Sequence, residues 1–88
     1  MSQIVLSFED QKRMSRQREA ILDIMRGWPG QWLNIGQLVG RLSERGISCV
    51  PTGASACLRD LRKPKFGGHQ IDRRCVRPGH FEFRIWAR

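Results

Sequence analysis

Five side chains able to ligate a metal, Cys49, Cys57, His69, Cys75 and His80, fall in the second half of this 88-residue chain. Zinc sites announce themselves by close-spaced ligand pairs such as C-x2-C. No such pair occurs, and Cys57 and Cys75 occupy positions expected to face the core, so neither a metal nor another cofactor is expected. Catalysis has no firmer footing. There is no Ser-His-Asp or Cys-His signature, and Gly67-Gly68 is a turn signal rather than a phosphate loop. The acids are scattered over polar helix faces, so the chain is not expected to be an enzyme. What is concentrated in this half is positive charge.

Sixteen Lys and Arg stand against eight Asp and Glu, a net charge of +8. Residues 1–44 hold six bases (Lys12, Arg13, Arg16, Arg18, Arg26, Arg41) and five acids (Glu9, Asp10, Glu19, Asp23, Glu44). Residues 45–88 hold ten bases and three acids, the acids being Asp60, Asp72 and Glu82. The first half therefore reads as scaffold and the second as an electrostatic footprint for a polyanion. The length suits one domain with one core, too small for a deep catalytic cleft. Ile4-Val5-Leu6 is too short an apolar run for a leader or a membrane span. With three unpaired cysteines, a reduced cytoplasmic setting is expected, with no membrane contact.

The elements that must position these charges follow from periodicity. Met14, Ile21, Leu22, Ile24, Met25 and Trp28 recur at helical spacing, opposite Arg16, Glu19, Asp23 and Arg26. This first helix starts between Ser7 and Ser15, with Ser7-Phe8-Glu9-Asp10 resembling a capped entry, and stops at Gly27 and Pro29-Gly30. Residues 1–13 form an arm or helix extension, and residues 14–88 form the domain. Gln31-Trp32-Leu33 is a short extended piece. Asn34, followed at the third position by Gln37, caps a second helix whose stripe is Ile35, Leu38, Val39 and Leu42, ended by Gly46. Gly36 and Gly40 cost that helix about 1 kcal/mol each relative to Ala and suit a close crossing by another helix.

A third helix opens at Pro51-Thr52 with Thr52 as its cap and runs to Lys63, where Pro64 stops it. Ala54, Cys57, Leu58 and Leu61 share its inner face. Thr52, Ala56, Arg59 and Lys63 share the outer one, flanked by Ser55 and Arg62. After Gly67-Gly68 the period becomes two, giving a hairpin over residues 70–86 that turns at Arg77-Pro78-Gly79. Placing Ile71, Cys75, Phe81, Phe83 and Ile85 on one face requires an odd loop or a bulge near Pro78-Gly79. Trp28, Trp32 and Trp86 lie beside core stripes, which favours packing over service as stacking platforms. The fold class is α+β, a three-helix core followed by a C-terminal β-hairpin.

Three helices then a hairpin, with Ala54-Ser55-Ala56-Cys57-Leu58-Arg59-Asp60-Leu61-Arg62-Lys63 as the third helix, resemble a winged helix-turn-helix domain. The pattern is similar to the small helix-turn-helix domains of phage and prophage proteins. It continues in Ile71-Asp72-Arg73-Arg74 and Phe81-Glu82-Phe83-Arg84-Ile85 and covers residues 14–86. The resemblance implies double-stranded DNA binding in a transcriptional regulator or accessory factor. The third helix would enter the major groove, and the hairpin would follow the backbone or minor groove. By position it implies Thr52, Ser55, Ala56, Arg59 and Lys63 as groove residues, Arg59 suited to a guanine edge. Arg62, Lys65, Arg73, Arg74, Arg77 and Arg84 are the phosphate candidates. Taken singly, about half of these arginines read better as solvated surface charges, so the cluster carries the reading. Two alternatives use the same surface: RNA or single-stranded DNA held by hairpin aromatics, and a protein-interaction module. A homodimer or protein partner is compatible with such regulators, although no heptad or unassigned apolar face marks one.

Overall fold

A computed structural model of the chain describes residues 8–85, with side chains from residue 11 onward. The elements are α1 (Phe8–Arg26), β1 (Leu33–Asn34), α2 (Ile35–Glu44), α3 (Pro51–Leu61), a 3-10 turn (Pro64–Phe66), β2 (Ile71–Arg77) and β3 (His80–Ile85). The three strands form one antiparallel sheet in the order β1-β3-β2. The domain is α+β, three helices against a three-stranded antiparallel sheet. No helix among the described residues is long and apolar enough to cross a membrane.

The helical stripes bury as their spacing requires. Ile21, Ile24 and Met25 of α1 meet Leu38 and Leu42 of α2 and Ala54, Cys57, Leu58 and Leu61 of α3 in one core. Leu33, Ile71, Phe83 and Ile85 close that core from the sheet side. Gln17 Nε2 donates to the Ser48 carbonyl at 2.9 Å, pinning the α2–α3 connector to α1. At the start of α2 both halves of the capping box are made. The Gln37 amide donates to Asn34 Oδ1 at 2.7 Å, and the Asn34 amide donates to Gln37 Oε1 at 2.9 Å. Gly46 takes the left-handed conformation that ends the turn.

Several expectations need correction. The extended piece gains a partner that its sequence does not announce: Leu33 pairs with Phe83 and Asn34 with Glu82, making a third strand. Thr52 is not the cap of α3. Val50 holds that position in extended geometry without a side-chain bond, and Pro51 fills the first turn, where its missing N–H would have had no partner. No helix crosses at Gly36 or Gly40. A side chain at Gly36 would meet only Asn34 Oδ1, and Gly40 opens onto free space. Trp28 follows the end of α1 and is exposed rather than packed in the core. Ser7 and Trp86 lie outside the described residues.

The hairpin carries the expected bulge, with Cys75 opposite Phe81 and Arg77 opposite His80, so one extra residue sits at Val76. The intended face is formed, but only its base is covered. Ile71, Phe83 and Ile85 are buried, whereas Cys75 and Phe81 are exposed, contrary to their assignment to the core. Alternation sets which way a side chain points, not how far the helices extend beneath it. Here the hairpin overhangs them, and that overhang opens a cleft beside α3.

Candidate nucleic-acid interface

The cleft has a volume of about 1040 Å³. One wall is the outer face of α3, presenting Thr52, Ser55, Ala56 and Arg59, with Arg62 just past the helix end. The other is the overhanging hairpin, presenting Arg73, Val76, Arg77, His80 and Phe81. The α2 entry (Asn34, Ile35, Gly36) closes one end. Each position has a local cause. Residues 52, 55, 56 and 59 recur at three- and four-residue steps, so they share one helix face while 54, 57, 58 and 61 go to the core. Arg73 shares strand parity with Ile71 and Cys75 and therefore points the same way, beyond the point where cover ends. Its guanidinium lies 5.0 Å from the centroid of Phe81.

Ion pairing divides the basic residues. Arg59, Arg62, Arg73 and Arg77 have no carboxylate partner among the described residues, and all four line the cleft. Glu82 also borders the cleft, but strand parity turns its carboxylate to the other face of the hairpin, where Arg74 holds it at 2.6 Å. The cleft thus combines four uncompensated guanidinium groups with the apolar surfaces of Val76, Phe81 and Ala56. In such a concave site like charges focus a positive potential on whatever enters.

Four of the candidate residues lie outside the cleft lining. Lys63 precedes Pro64, which forces extended backbone at residue 63 (φ −78°, ψ 143°) and takes it off the α3 face. Its ammonium pairs with Asp60 at 3.3 Å. Lys65 lies 5.0 Å from the Phe66 ring centroid, away from the cleft. Arg74 and Arg84 point to the opposite face of the hairpin, where Arg74 bonds Glu82 and Arg84 bonds Asp72. The three acids of the second half therefore each claim one candidate: Asp60 takes Lys63, Asp72 takes Arg84 and Glu82 takes Arg74.

Sequence reasoning missed two contributors. Phe81 looked like a core residue, and only the reach of the helices puts it in the cleft. Asp60 looked like an exposed helix charge but is buried between Arg18, at 3.7 Å, and Lys63. It ties the end of α3 to α1, and Arg18 also stacks on Phe66 at 4.1 Å. No local pattern reports a partner that arrives from another helix.

Cys49 and Cys57 offer little reactivity. Burial pushes the Cys57 thiol up to about 11 and raises Cys49 as well, so both are protonated at neutral pH. Among the described residues no three His, Cys, Asp or Glu side chains converge as metal ligands would. No protein-family profile, no curated protein and no solved structure matches this chain.

Proposed function

We propose that this chain binds double-stranded DNA as a winged helix-turn-helix domain, with α3 in the major groove and the β2–β3 hairpin as a wing on the backbone or minor groove. The carrying observation is the placement of Arg59, Arg62, Arg73 and Arg77 in one cleft between helix and hairpin, four arginines without an acidic partner among the described residues. The element order α1-β1-α2-α3-β2-β3 with sheet order β1-β3-β2 supports the winged-helix reading. A phosphodiester strand running through the cleft would meet cations from both walls, while Arg59 and the small residues Thr52, Ser55 and Ala56 face base edges. Small groove-facing side chains suit close approach of the helix more than extensive base reading. Most of the affinity is then electrostatic, as in a phage or bacterial regulator or accessory factor that finds DNA by charge.

Among the described aromatics, Arg74 and Arg84 cover Trp32, at 4.3 and 4.4 Å, and Arg41 lies 4.7 Å from Trp28, while Phe81 of the hairpin stays exposed in the cleft. A single strand stacking on Phe81 is the competing reading. Titration of a labelled mixed-sequence duplex by fluorescence anisotropy tests the proposal. Three neutralised phosphates, at Arg62, Arg73 and Arg77, give a log–log salt slope of about −2.7, a loss of about 40-fold between 50 and 200 mM salt. Absence of binding at the lower salt overturns it. A single strand of equal length binding more tightly than duplex would replace it with the single-strand reading.

A further inference from the structure

The outer face of the hairpin has an organisation that DNA binding does not by itself require. Asp72 lies opposite Arg84, and Arg74 opposite Glu82, so two ion pairs form directly across the β2–β3 ladder. Both guanidinium groups also stack on one ring, Trp32, which precedes β1. Strand parity explains the meeting. Leu33 faces the core opposite Phe83, so its neighbour Trp32 faces outward on the side of Arg84. Arg84 comes from the central strand and Arg74 from the far edge, so the ring joins all three strands. The β1–β3 ladder is only two residue pairs long, a slender attachment for an overhanging hairpin.

From this geometry we infer that Trp32 is a positioning residue for the wing. It holds Arg74 and Arg84 against the outer face, so that the hairpin stands at one pitch and carries Arg73 and Arg77 toward α3. The inference rests on the proposed DNA binding for its functional consequence, while the clamp itself is a property of the free protein. Two aspects of the clamp act together. The ion pairs make the outer face neutral, leaving the cleft face as the cationic one. The aromatic spacer then fixes the plane of both guanidinium groups, which a lysine ammonium on a flexible stem would not supply in the same way.

Two measurements on the full chain test it. The first is amide hydrogen exchange of the free protein. Trp32→Leu should lower protection in β2 and β3 by tenfold or more while that of α1, α2 and α3 holds, and Trp32→Phe should restore most of it. The second is the salt slope on a mixed-sequence duplex. Loss of the two wing contacts takes the slope from about −2.7 to about −0.9 and weakens binding up to about sixtyfold at 0.1 M salt. Trp32→Leu should move toward that value, and should add nothing in an Arg73→Ala/Arg77→Ala background. The charge-preserving pair Arg74→Lys/Arg84→Lys changes one half-exposed and one partly buried side chain and should reproduce the Trp32→Leu slope.

An unchanged slope in the lysine pair would overturn the inference and return Arg74 and Arg84 to the role of phosphate contacts. Uniform loss of protection across helices and hairpin would equally overturn it, because Trp32 would then be an ordinary packing residue. A wild-type chain that does not bind duplex refutes the proposed function instead, and the exchange data alone then decide whether the clamp exists.

Discussion

Arg62 and Lys63 are adjacent, each carries one positive charge, and their structural settings predict opposite phenotypes. Arg62 is exposed at the C-terminal end of α3, lines the cleft and has no acidic partner among the described residues. Lys63 is turned away by the following proline and pairs with Asp60, whose side chain is only 13% exposed. Replacing either by glutamine lowers the net charge equally, so the overall field changes alike and local contact alone separates them. If Arg62 neutralises one phosphate, Arg62→Gln reduces the salt slope by about 0.9 and weakens binding about eightfold at 0.1 M salt. It removes no folded-state ion pair, so the melting temperature should hold.

Lys63→Gln should do the reverse. The slope stays near that of the wild type, while loss of a half-exposed pair costs about 0.5–1 kcal/mol. For a domain of this size that is a fall of roughly 3–6 °C in Tm. Asp60 keeps Arg18, which limits the damage. Anisotropy titrations at four salt concentrations and a thermal melt of each variant suffice. Equal slope changes in the two variants would refute the reasoning, since both charges would then act through the long-range field and the cleft would have no special status.

Other perturbations have equally direct outcomes. Asn34→Ala removes the capping box of α2 and should cost about 1 kcal/mol in urea unfolding, recovered in part by Asn34→Ser. Gly67→Ala places a Cβ 2.5 Å from His69 Nε2 at φ +104°, a conformation foreign to alanine. It should lower stability by about 1–3 kcal/mol in the same assay while leaving the salt slope unchanged. Arg59→Ala should flatten preference at a single base pair in a selected-site competition, by about 1–3 kcal/mol of discrimination, if that side chain reads a guanine. Burial raises the Cys57 thiol from 9.0 to about 11, so the folded state keeps a proton that the unfolded chain releases. Its contribution is intact below pH 9 and is lost as pH climbs toward 11, and urea midpoints of the wild type should fall more steeply over that window than those of Cys57→Ala.

The parts of this molecule that were readable in its sequence are those governed by local period and local hydrogen bonding. Ala54, Cys57, Leu58 and Leu61 declare the inner face of α3 because four apolar side chains at helical spacing have few other uses. Asn34 and Gln37 declare the α2 entry because their spacing completes two backbone bonds at once. The hairpin bulge was legible for a similar reason, since the alternation on the two strands matched only with one residue to spare. Leu33-Asn34 is too short to show any period, so its pairing with β3 was not. Cys75 and Phe81 point where alternation puts them, yet exposure depends on how far a neighbouring layer extends.

Charge is where the sequence is least informative and the fold most decisive. A count gives +8 and its skew toward the second half, but a count does not distinguish a cation that is spoken for from one that is not. Pairing does. Eleven positions were nominated for nucleic acid, and seven of them share the cleft: Thr52, Ser55, Ala56, Arg59, Arg62, Arg73 and Arg77. Asp60, Asp72 and Glu82 draw Lys63, Arg84 and Arg74 to other faces, and Lys65 goes to Phe66. Each of these acids stands near its partner in the chain or directly across one ladder, so the sorting costs the fold little. Without it ten bases would spread a diffuse positive field over half the surface. With it, the arginines of helix and hairpin that lack an acidic partner among the described residues line one concave strip, where like charges reinforce one another.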